Sequence, residues 1–137
     1  MKTISTSEWE VMRVVWTLKQ ATSKNIIDNL QKKKWKPATV KTLIGRLVNK
    51  KFLGEKTAKR PYIFYPLVDE TKAMNRVSSD LFKHLCDMHK GQVLLNLLNE
   101  TEIDQDDIKK MQSLLSKKMR TAPKMVDCNC VGGRNDG

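Results

Sequence analysis

Apolar residues recur along the chain at helical spacing, in blocks parted by short polar breaks. Trp9, Met12 and Trp16 stand at i, i+3 and i+7 with Val11, Val15 and Leu18 beside them, which predicts a helix with one broad buried face. Ser5 with Glu8, and Ser7 with Glu10, form two overlapping capping boxes that mark its start. Ala21-Thr22-Ser23 breaks the pattern and offers a new N-cap. Ile26, Ile27 and Leu30 then mark a short second helix running to Lys32-Lys33-Lys34, cations suited to the negative end of a helix. Pro37 opens a third helix, on which Val40, Leu43, Ile44, Leu47 and Val48 fall at i, i+3, i+4, i+7 and i+8. Its other face is polar or small: Thr39, Lys41, Thr42, Gly45, Arg46 and Asn49. Phe52-Leu53-Gly54 is expected to end that helix. A basic stretch to Arg60 and the β-forming run Tyr62-Ile63-Phe64-Tyr65 then predict a two-stranded hairpin with a cationic tip.

Pro66 and Asp69-Glu70 mark a boundary. Beyond it, Met74, Val77, Leu81, Leu85 and Met88 give a narrow apolar seam, interrupted at Gly91, and Val93, Leu94, Leu95, Leu97 and Leu98 give a second apolar stretch. A last helix is expected from Asp104 as N-cap, with Ile103 and Ile108 as a hydrophobic staple, through Ile108, Met111, Leu114 and Leu115 towards Met119. Three helices of this size cannot enclose a core of their own, so Leu81, Leu85, Leu94, Leu98, Ile108, Met111 and Leu115 are expected at a homodimer interface. From Thr121 onward, Pro123, Gly132, Gly133 and Gly137 argue for a flexible tail. The expected fold is mainly α: a winged helix-turn-helix domain with a small β-hairpin wing over 1–68, a helical dimerisation domain over 69–120, and the tail over 121–137.

Charge sharpens this picture once it is located. The net charge of +11 lies wholly in residues 1–68, which hold 15 Lys/Arg against 4 Asp/Glu; residues 69–137 hold 11 of each. A cationic field confined to one half points to a polyanion partner for that half, and double-stranded DNA fits a helix with a short-chained polar face. Thr39, Thr42 and Arg46 share that face, where arginine can bond guanine in bidentate fashion and threonine can offer a hydroxyl or a methyl. Lys36, Lys41, Lys50, Lys51, Lys56, Lys59 and Arg60 are expected to contact phosphates.

Enzyme chemistry finds little support. The first half holds neither His nor Cys, and no glycine-rich phosphate loop or HExxH pattern occurs. No secretory signal and no run of about 20 apolar residues is present, so a cytoplasmic protein with no membrane and no small organic substrate is expected. A reducing compartment would keep Cys86, Cys128 and Cys130 as thiols. Cys86 with His84 and His89 is a weak metal candidate; on a helix continued through this region, Cys86 would instead pack against Phe82 at the dimer seam.

The run Ser7-Glu8-Trp9-Glu10-Val11-Met12 with Val15-Trp16, and the run from Pro37 through Thr39, Thr42, Gly45 and Arg46 to Val48, resemble the penicillinase and methicillin-resistance repressors and the copper-responsive CopY repressors. Leu94-Leu95-Asn96-Leu97 and the helix after Ile103 resemble that family's dimerisation region. The resemblance implies a homodimer on a palindromic operator, repressing until an inducer arrives. Cys128-Asn129-Cys130 resembles the first of two Cys-x-Cys elements that bind zinc or copper(I) in the copper branch, whereas Asn135 and Gly137 stand where the second would fall. Two thiolates are half of a tetrahedral zinc site; two tails of a dimer together would offer four, and copper(I) is soft enough to accept thiolates alone. The expected inducer is therefore copper(I), with zinc or copper(I) held at Cys128 and Cys130. The alternatives are a β-lactam-responsive repressor cut near Asn96-Leu97, and a winged-helix module that binds protein.

Overall fold

The computed structural model describes residues 2–56 and 59–132. They fall into two compact units, one reaching to Arg76 and the other starting at Val77. Asn135 and Gly137, which stand where a second Cys-x-Cys element would fall, lie outside the described residues, as does Gly133.

In the first unit, α1 spans Thr6–Leu18. Of its two candidate caps Ser5 prevails: its hydroxyl accepts from the Glu8 N–H, and the Glu8 carboxylate accepts from the Ser5 N–H at 2.8 Å. α2 spans Ser23–Asn29, capped reciprocally by Thr22 and Asn25. It stops short of the lysine run, and a single 3-10 turn over Gln31–Lys33 leads on. α3 spans Pro37–Asn49 with proline in its first turn.

α3 ends earlier than its apolar pattern suggests, for a local reason. Lys50 caps the helix; the Lys51 N–H bonds the Val48 carbonyl and the Phe52 N–H bonds the Leu47 carbonyl at 2.9 Å. This is a Schellman arrangement, with Lys51 in the left-handed region at φ 66. Leu53 and Gly54, expected at the helix end, therefore join Glu55 in strand β1 (Leu53–Glu55), antiparallel to β2 at Phe64–Pro66, with Gly54 opposite Tyr65. Ala21 adds a third rung: its N–H and carbonyl both bond Phe64, at 2.9 and 2.8 Å.

Val11, Met12, Val15, Ile26, Val40, Leu43, Ile44, Leu47, Leu53 and Phe64 make one buried core against which Trp9, Trp35 and Val68 pack. The Trp16 indole N–H donates to the Val68 carbonyl at 2.9 Å, tying down the chain after the hairpin. Glu8 is the one buried charged residue among those described. Its carboxylate accepts from the Lys50 ammonium at 2.8 and 3.0 Å, and the same ammonium donates to the Thr3 carbonyl. Burial pushes the Glu8 carboxyl up, but Lys50 and the Ser5 N–H and hydroxyl pull it down further, leaving it below its ordinary value.

α4 spans Glu70–Lys83, α5 Lys90–Glu100 and α6 Gln105–Met119. Asp104 caps α6 as expected, accepting from the Asp107 N–H at 2.8 Å. The break between α4 and α5 falls at His84–Cys86 and a 3-10 turn over Asp87–His89, while Gly91 lies inside the first turn of α5. No described residue of the second unit is buried. Among the described residues no helix is long and apolar enough to cross a membrane.

Candidate nucleic-acid interface and cysteine cluster

The buried stripe of α3 orients the rest of that helix outward. Thr39, Lys41, Thr42, Gly45 and Arg46 are all exposed, as is Lys36 just before the helix. Thr42 is less free than the sequence suggests. Its hydroxyl donates to the Ala38 carbonyl at 3.0 Å, so outward it offers a methyl and lone pairs. Beside this face an open cleft runs between α3 and the hairpin, lined by Lys24, Lys41, Gly45, Arg60 and Tyr62 together with the acidic Glu55. Lys59 and Arg60 are exposed at the hairpin tip. Lys56 is exposed but partly engaged: its ammonium donates to Gln20 at 2.8 Å and lies 5.9 Å from the Tyr65 ring centre. The Tyr65 ring lies over Gly54, where a side chain would collide with it at 2.6 Å. Lys50, expected among the phosphate contacts, is instead committed to the internal pair with Glu8.

Of the residues expected at a dimer seam, Leu81, Leu94, Leu98, Ile108, Met111 and Leu115 are exposed large apolar side chains and Leu85 is half-buried. Leu94 and Leu98 on α5 and Met111 on α6 line one shallow groove within the second unit.

The cysteines depart from expectation. α4 ends at Lys83, so Cys86 does not continue its apolar seam towards Phe82; it caps the 3-10 turn that follows. Its sulfur lies 3.6 Å from that of Cys128, and the three sulfurs of Cys86, Cys128 and Cys130 all lie within 4.8 Å of one another. His84 and His89 are outside this cluster. The Asn129 side-chain oxygen accepts from the Asp87 N–H at 2.9 Å, so the segment around 129 is fastened to the turn by a contact that does not involve sulfur, and within the turn the Asp87 carboxylate holds Lys90 at 2.7 Å. The Cys130 N–H points at the Cys128 sulfur at 3.4 Å. Hydrogen bonding from the Cys130 thiol, joined by the Met88 N–H, holds the Cys86 thiol below its ordinary value. Cys130, donating to both neighbouring sulfurs, is pushed up to about 12.

A thiolate–metal bond of about 2.3 Å sets the sulfurs of a three-coordinate site about 4 Å apart. The cluster is close to that spacing, and its all-sulfur donor set fits a soft, thiophilic cation. Sequence spacing carries no sign of Cys86, because 42 residues separate it from Cys128.

Three helices over one core, a short antiparallel hairpin and an outward polar face on the third helix define a winged-helix regulator. The chain belongs to the penicillinase repressor family, whose sequence pattern matches residues 4–117; this is a family of DNA-binding transcriptional repressors and not of enzymes. An uncharacterized 16.5 kDa protein in the ptsI 3′ region of Latilactobacillus sakei is 47% identical over 134 residues, covering 97% of this chain and 92% of that protein. The methicillin resistance regulatory protein MecI of Staphylococcus aureus strain N315 is 34% identical, covering 84% of this chain and 94% of its own. The solution structure of the DNA binding domain of the repressor BlaI is 33% identical with a TM-score of 0.46, over 52% of this chain and 92% of that one.

Proposed function

We propose that this chain is a copper-responsive transcriptional repressor that grips a palindromic operator as a cytoplasmic homodimer and releases it on taking up copper(I). One observation carries the DNA-reading part: Thr39, Lys41, Thr42 and Arg46 stand exposed on a helix whose opposite face is buried, in the half of the chain that holds the whole net charge. Arg46 reads a base edge, with Thr39 and Thr42 beside it, while Lys36, Lys41, Lys56, Lys59 and Arg60 bind phosphates. Leu81, Leu85, Leu94, Leu98, Ile108, Met111 and Leu115 pack against a second copy. Two α3 helices then enter major grooves one helical turn apart, which gives half-sites about 10 bp apart centre to centre.

Cys128 and Cys130 hold the inducer. When bound, copper(I) supplies a soft cation for which thiolates outcompete water. Operator affinity differs between loaded and empty protein only if the cysteines bind metal unequally in the DNA-bound and free states. Fluorescence anisotropy on labelled operator tests this with zinc and with copper(I), on the wild type and on a Cys128→Ser, Cys130→Ser double variant. Copper(I) is expected to release the wild type alone; equal responses would remove the metal-sensing role and leave the repressor. Affinity should also fall steeply with salt, and insensitivity would favour a protein partner instead.

A second reading is supported by the similarity to the methicillin resistance regulatory protein. Here release follows proteolytic cutting at Asn96-Leu97, within α5, where Leu97 is 47% exposed. Full-length protein persisting in induced cells would exclude it.

A further inference from the structure

We infer that Cys86 completes a three-thiolate copper(I) site with Cys128 and Cys130 inside a single chain, so that each protomer carries its own metal and prefers copper(I) to zinc. This rests on the copper-responsive reading and gives it a ligand set. It differs from a site shared between two tails, which would use four sulfurs from two copies and none from residue 86.

The convergence of three sulfurs within 4.8 Å across 42 residues of sequence is the first ground. A flexible Cys-x-Cys element alone leaves a metal with two ligands; Cys86, fixed at the head of a 3-10 turn, supplies the third. The second ground is that the approach is held without the sulfurs. The Asn129 side chain grips the Asp87 N–H, so the residue between the two tail cysteines is docked on the turn that begins after Cys86. Such preorganisation lowers the ordering cost of binding.

Donor number is the third ground. Neither histidine nor any carboxylate joins the cluster among the described residues. Structural zinc wants four protein ligands, and three sulfurs leave one position to water; copper(I) is satisfied by three thiolates and is favoured by their softness. The Cys130 N–H also faces the Cys128 sulfur, where it offsets charge on a thiolate. Cys86 and Cys128 are half-buried and Cys130 is exposed, so the site is open to solvent on the Cys130 side.

The test uses the full chain, reduced and oxygen-free, titrated with copper(I) against a chromophoric copper(I) chelator, with X-ray absorption to count sulfur neighbours. Cys86→Ser and Cys86→Ala are measured alongside, each checked for helix content by circular dichroism. One copper per chain and three sulfurs are expected, together with displacement of bound zinc by one equivalent. Either Cys86 variant should lose more affinity than the roughly 10–100-fold that removal of an outer-shell partner brings. Two sulfurs, one copper per two chains, wild-type affinity in a folded Cys86 variant, or zinc that resists displacement would each overturn the inference. The two readings fail separately. If three sulfurs bind copper(I) but the operator stays bound, the release reading falls and the site stands. If Cys86→Ser binds copper(I) and releases the operator as the wild type does, the site falls and the copper response stands.

Discussion

Gly45 is the residue at which the free protein and one with a duplex laid against α3 would make opposite demands. A Cβ there meets nothing within 4 Å, and alanine is favoured over glycine inside a helix by about 0.5–1 kcal/mol. Gly45→Ala should therefore raise the melting temperature while weakening operator binding, because only a close-lying duplex would feel the added methyl. Unchanged affinity would place the bases farther from α3. Arg46→Ala, at the next residue of the same exposed surface, is expected to lose about 1–3 kcal/mol on operator and little on random duplex. Equal losses on both would reduce Arg46 to a phosphate contact.

Glu8 shows what residue-level reading misses. Its place in a capping box was legible, but its burial and its pairing with Lys50 were not, because nothing local links positions 42 apart; Lys50 therefore looked like one more free surface cation. The folded-state carboxyl titrates below its ordinary value, about 4.3 in a peptide, so the pair's stabilisation is complete above that pH and drains away as pH falls through the lower folded value. Glu8→Gln should reduce stability by about 1–3 kcal/mol near neutrality, allowing for the solvent that reaches Lys50. Denaturant melts should show the gap between variant and wild type closing in acid. A gap that is constant with pH would mean that the capping geometry matters and the charge does not.

At the scale of elements, α1, α3 and α6 were readable because a start signal, a side-chain cap on α1 and α6 and a first-turn proline on α3, agrees with the apolar period at each of them. The hairpin was half readable. β2 lies in an aromatic, β-branched run, whereas β1 has three residues of which one is glycine, and its assignment depends on Lys51 adopting a left-handed conformation that ends α3. A non-glycine residue in that region is strained by about 1–2 kcal/mol. Lys51→Gly should then stabilise the fold modestly, by less than about 1 kcal/mol once glycine's own entropy is counted. Thermal melts check this, and a fall in stability would show that the lysine side chain holds the turn. The end of α4 was misplaced for a related reason. Leu85 and Met88 keep the seam's spacing in sequence while the backbone turns away after Lys83, and that turn brings Cys86 to the other two cysteines.

For the whole molecule, the unequal halves were legible from counting charges, since a fold need not be known to see where +11 resides. That a second copy covers the apolar side chains of α4, α5 and α6 is a proposal reached by elimination: too little chain, too many exposed leucines. Leu115→Asp tests that step. At 57% exposed it would be harmless in a lone subunit, but a carboxylate sealed in an interface without a partner charge loses about 3–5 kcal/mol. Sedimentation velocity should shift towards the monomer, with operator affinity falling alongside; an unaltered dimer would move the interface elsewhere.

Those uncovered leucines bear on dosage. If two subunits must meet before either finds its half-site, occupancy of the gene follows the square of subunit concentration at low abundance, not its first power. Halving synthesis would then cut the paired form about fourfold in that regime, so promoter output would respond sharply to dilution during growth even with no inducer present.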